Sequence, residues 1–153
     1  MKFISLNNLI KKLKTRKYKK KIIFTNGCFD ILHPGHIYFL KKAKKLGDVL
    51  IVAVNSDSSI KKIKGKNRPI INFKNRVGLL NELKFVNFIV KLNDLEPTNL
   101  IRKIKPSIHC KGIEYKNVNI KEKKIVKELN IKMKFIKKYK NYSTTNLVKK
   151  NVK

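Results

Sequence analysis

The chain has 153 residues, 42% of them apolar, which suits one domain with a buried core and is too little for two. Its 39 lysines and arginines against nine aspartates and glutamates give a formal charge of +30, but the charge is spread over nearly every polar stretch and accompanies no helix-turn-helix, RNP-type or zinc-finger signature, so no nucleic-acid partner is expected. No apolar run of about eighteen residues occurs and the lysine-broken start lacks a secretory apolar stretch, so neither a membrane span nor export is expected and the chain reads as cytoplasmic.

Leu6, Leu9, Ile10 and Leu13 fall at helical spacing behind Ser5, which predicts a short amphipathic helix within an N-terminal extension over residues 1–20. Residues 21–25 form a compact apolar run that ends at Asn26-Gly27, a first strand. Ile37, Leu40 and Ala43 mark a helix over 36–46, with Gly47 as its C-terminal stop. Residues 49–54 are apolar throughout, as a strand buried on both faces requires. A short helix over 57–64, a loop over 65–72 containing Pro69 and a helix over 73–83 follow. The rest reads as strand 86–90, helix 97–104, strand 107–110, helix 118–129, strand 132–136 and a last helix beginning near Ser143. This alternation of strands and helices predicts an α/β fold with a parallel sheet and right-handed crossovers.

In such a sheet ligands bind beyond the carboxyl ends of the strands, where strand order reverses, so the segment after the first strand is the place to look for chemistry. It runs from Asn26 through Gly27, Cys28, Phe29, Asp30, His33 and Gly35 to His36. Two of the three histidines stand three apart around Gly35, at the start of a helix. The glycine lets backbone come close to a ligand, the helix start favours an anion, and the imidazoles can donate to phosphate oxygens. No carboxylate or cysteine cluster completes a metal set around them, so no protein metal site is expected. Cys28 and Cys110 stand apart without ligand spacing and read as free thiols. Arginine is scarce, with only Arg16, Arg68, Arg76 and Arg102, and a retained guanidinium suggests that its fork matters.

Residues 27–36 carry an HxGH motif and resemble the cytidylyltransferase-like nucleotidyltransferases, whose fold is a Rossmann-like five-stranded parallel sheet in the order 3-2-1-4-5 with helices on both faces. The segment from Thr25 to Gly65, Arg68-Pro69-Ile70, Arg76, Lys111-Gly112 and Tyr142-Ser143-Thr144-Thr145 follow, in order and rough spacing, the adenylyltransferases of that family that act on D-glycero-β-D-manno-heptose 1-phosphate. The resemblance implies that His33, His36 and Lys64 act on the triphosphate. It implies nucleotide contacts from Asn26, Gly27, Cys28, Phe29, Gly35, Lys111, Gly112, Ser143, Thr144 and Thr145, and acceptor contacts from Arg68 and Asp30, the latter also orienting the turn.

The same resemblance implies ATP and a sugar phosphate as substrates, with Mg²⁺ carried mainly by the nucleotide phosphates. It further implies a single nucleotidyltransferase domain over 1–153, a sugar kinase acting upstream as a separate protein, and a homodimer as a common assembly. A sister enzyme such as a glycerol-3-phosphate or ethanolamine-phosphate cytidylyltransferase shares these motifs, and a basic nucleic-acid-binding protein is the reading from another class. Two positions depart from the family pattern: Ile113-Glu114 stands where Gly-Asp is usual, and Asn87 where aspartate is common.

Overall fold

The computed structural model describes residues 1–15 and 21–139. Five parallel strands, β1 (Ile22–Gly27), β2 (Val49–Asn55), β3 (Phe88–Leu92), β4 (Ile108–Gly112) and β5 (Lys132–Ile136), form one sheet in the order β3-β2-β1-β4-β5. The expected order is therefore observed. All neighbouring strands run parallel and the strand order reverses between β1 and β4, which opens a crevice at their carboxyl ends.

All seven residues of β2 are buried, and because side chains alternate across a strand they feed two cores. Val49, Ile51 and Ala53 join Leu9 of α1 (Leu6–Leu13), Leu100, Ile101 and Ile104 of α5 (Thr98–Ile104), and Ile125 and Val126 of α6 (Lys121–Glu128). Leu50, Val52 and Val54 join Leu40 and Ala43 of α2 (Pro34–Lys44) and Val77 and Leu80 of α4 (Phe73–Asn81). Helices thus cover both faces. The remaining helix, α3 (Asp57–Lys64), leads from β2 to the loop before α4.

Most elements lie where periodicity places them, with shifts at the ends. The first strand runs two residues further, to Gly27, and the helix after it begins two residues earlier, at Pro34. Proline suits a first helical turn because its missing N–H would have no helical partner there. Gly47 is not a helix cap: α2 ends in a right-handed Lys45, and among the glycines only Gly65 has positive φ. A Cβ at Gly47 would lie 2.6 Å from the Lys21 carbonyl oxygen and 2.7 Å from Ile23 Cδ1, so close chain approach is what selects glycine. Residues 113–115 form a short 3-10 turn that periodicity does not mark.

The N-terminal segment is built into the domain. Phe3 pairs in parallel with Ile89 at the outer edge of β3, while Lys2 Nζ donates to the carbonyls of Asn81 and Leu83 at the end of α4. Leu9 is fully enclosed by the core. The helix expected near Ser143 lies outside the described residues.

Candidate active site

A cleft of about 690 Å³ opens at the carboxyl ends of β1 and β4. Its walls include Asn26, Gly27, Cys28, Phe29, Asp30, His33, Gly35, His36, Lys64, Lys111 and Gly112. Sequence positions as far apart as 26 and 112 thus converge on one surface.

The His33 and His36 rings stack with centroids 3.8 Å apart at 25°, at the N-terminal end of α2. Phe29, held at φ 47°, packs against His36 at 5.2 Å. The His33 backbone N–H donates to His36 Nδ1 at 3.4 Å, so the proton of a neutral His36 ring belongs on Nε2. Burial, followed by the charges of His33 and Lys64, pushes the His36 pKa down to about 3, and burial lowers that of His33. Near neutral pH both rings are uncharged donors. A polyanion entering the cleft would favour their protonated form and strengthen those bonds.

Asp30 orients the turn by accepting from the backbone N–H groups of Ile70 and Ile71 and from Arg68, at 2.8, 3.1 and 2.6 Å. Its side chain is fully enclosed. Three protein donors thus occupy the carboxylate of a residue that also lines the cleft. Arg68 pairs with Asp30 through Nη1, which leaves the rest of its guanidinium fork uncommitted by that bond.

Arg76, one of the four arginines of the chain, is the largest fully buried side chain among the described residues. It donates to the carbonyls of Cys28, Asn55 and Ile71 and pairs with Asp57 at 2.8 Å, which together with hydrogen bonds holds the Asp57 carboxyl below its usual pKa. One guanidinium therefore ties together the loops after β1 and β2 and the start of α4. Asn87 is likewise structural, accepting from the Leu50 backbone at 2.8 Å where β2 begins.

At the far side of the cleft the Lys111 ammonium lies 3.1 Å from Glu122 Oε1, 3.4 Å from Asn26 Oδ1 and 4.4 Å from the centre of the Tyr115 ring. Glu122 escaped the sequence reading; its only signal there is a single carboxylate among the lysines that open α6. The Glu114 side chain folds back over Gly112 into the space a Cβ would need, so glycine at 112 accommodates the Glu114 departure. Both cysteines are free: burial raises the pKa of Cys28 and pushes that of Cys110 up to about 12. Ser143, Thr144 and Thr145 lie outside the described residues.

Residues 24–150 match the cytidylyltransferase-like family, and the chain belongs to that family. It is 43% identical over 141 residues to the bifunctional protein HldE of Campylobacter concisus, a match covering 92% of this chain and 29% of that protein. The HldE of Helicobacter pylori is 44% identical over 149 residues, covering 97% and 31% respectively. The chain therefore spans about three tenths of the length of these relatives. Among solved structures, the lipopolysaccharide core biosynthesis protein of Thermoplasma volcanium is similar with a TM-score of 0.63 and 32% identity, over 81% of this chain and 99% of that one. A pantoate-β-alanine ligase (pantothenate synthetase) of Thermus thermophilus shares the fold, with a TM-score of 0.69 at 14% identity over 96% of this chain and 67% of that one.

Proposed function

We propose that the chain is a nucleotidyltransferase that moves AMP from ATP onto D-glycero-β-D-manno-heptose 1-phosphate, giving ADP-heptose and pyrophosphate for lipopolysaccharide core synthesis in the cytoplasm. The observation that carries the reading is the stacked His33–His36 pair at the head of α2, facing the β1–β4 crevice. The similarity to HldE proteins and to a lipopolysaccharide core biosynthesis protein supports the heptose acceptor.

A phosphate oxygen of the acceptor attacks the α-phosphorus in line; a new P–O bond forms and the bond to the β-phosphate breaks. A phosphate monoester near neutral pH is already an anionic nucleophile, so rate comes from alignment and charge stabilisation. His33, His36 and Lys64 receive the triphosphate beside the positive end of α2. Ser143, Thr144 and Thr145 would add hydroxyls: Tyr139, on the cleft wall and stacked on Tyr38 of α2 at 5.0 Å, stands four residues before Ser143, a reach of about 13 Å.

Among the described residues no group of three or more His, Cys, Asp or Glu is placed to hold a metal ion. Mg²⁺ would enter on the nucleotide with phosphate and water ligands and would neutralise charge on the non-bridging oxygens. Further parts of this reading are a homodimer and a sugar kinase acting upstream.

Pyrophosphate release from ATP or CTP with heptose 1-phosphate, glycerol 3-phosphate or ethanolamine phosphate tests the assignment. Release with ATP and heptose 1-phosphate is expected. Turnover confined to CTP with a polyol or amino-alcohol phosphate would replace it with the cytidylyltransferase alternative.

A further inference from the structure

We infer that Glu122 is a positioning residue for the nucleotide, acting through Lys111; this rests on the nucleotidyl-transfer reading of the cleft. In the Lys111–Glu122 ion pair both side chains are nearly enclosed, at 9% and 6% exposure. The other ion pairs among the described residues each have a more exposed member. Two ions so buried lose hydration that their attraction barely restores, so such a pair is a poor source of stability. Its location supplies another reason for it. Lys111 leaves the end of β4 and reaches Asn26 at the end of β1, which puts its ammonium across the crevice where the strand order reverses.

An unrestrained lysine there would follow the strongest nearby anion, and in a loaded cleft that anion is the triphosphate. Glu122, fixed on α6, takes up that attraction and holds the ammonium on the floor, with the Tyr115 ring closing over it at 4.4 Å. The triphosphate is thereby left to His33, His36 and Lys64. Glu122 thus trades ground-state affinity for alignment of the α-phosphorus, a form of differential binding that raises turnover.

The test is steady-state kinetics and calorimetric ATP binding with the wild type, Glu122→Gln and the charge-balanced double variant Lys111→Met/Glu122→Gln. In Glu122→Gln, KM and Kd for ATP should fall by about threefold while kcat falls by about tenfold, the pattern of binding gained in the ground state only. In the double variant ATP affinity should return to the wild-type value or weaker, and kcat should rise above that of Glu122→Gln because the ammonium that misplaces the triphosphate is gone. A purely structural role would reduce folded protein and kcat with ATP affinity unchanged, and that result overturns the inference, as does a double variant whose kcat is no higher than that of Glu122→Gln. If the wild type binds ATP but transfers nothing, the activity reading fails, and the order of ATP affinities among the three proteins still decides for or against Glu122.

Discussion

His36 illustrates how one residue inherits its chemistry from its surroundings. Its Nδ1 is engaged by the His33 backbone, Phe29 and His33 flank the ring, and burial keeps it neutral, which leaves Nε2–H as the ring's donor. Replacement of His36 by alanine should lower kcat by about 10²-fold or more, the typical loss when one donor to developing charge is removed. Far-ultraviolet circular dichroism should be unchanged, because the ring is only partly buried and belongs to neither core cluster. A folded variant with near-normal pyrophosphate release would remove His36 from the mechanism. The histidine pair was legible because a two-histidine motif at a strand-to-helix junction is local in sequence. Glu122 was not, since what distinguishes it from any other helix-surface glutamate is a lysine eleven positions away on a different element.

At the level of elements, the cleft depends on loops that have no regular structure of their own and are tied by buried polar side chains. Asp30 fastens the 65–72 loop to the turn after β1, and Arg76 fastens that turn to the loop after β2. Lysine at 76 keeps the charge but cannot bond in four directions, leaving buried carbonyls without donors. Arg76→Lys should therefore cost about 2–4 kcal/mol in urea unfolding, and Arg76→Met more, since Asp57 then loses its partner as well. A Lys variant with an unchanged unfolding midpoint would show that the fork is dispensable. The scarcity of arginine hinted that Arg76 mattered. That it would be enclosed and not face a phosphate could only come from packing, because α4 has to turn that residue toward the β1 and β2 loops.

For the whole molecule, the three histidines link stability to acid. An unfolded imidazole binds its proton near pH 6.5, whereas folded His109 does so only at about 4 and folded His36 at about 3, burial being the main cause, with His33 also lowered. Between those values the unfolded chain holds more protons than the folded one, so their stabilising contribution is complete above about pH 6.5 and declines as pH falls toward 4 and then 3. The urea midpoint should be lower at pH 5 than at pH 7.5, and equal midpoints would contradict the burial of these rings. The sequence by itself determined the α/β alternation, the doubly buried β2 and the position of the histidine-bearing turn after β1, because hydrophobic period and the HxGH motif act over a few residues. Tertiary structure alone decided that Asp30 and Arg76 are spent on loops, that Gly47 serves close approach, and that Lys111 meets Glu122. Those outcomes depend on which distant groups share a buried space, where an unpaired charge or a misplaced Cβ is too costly to persist.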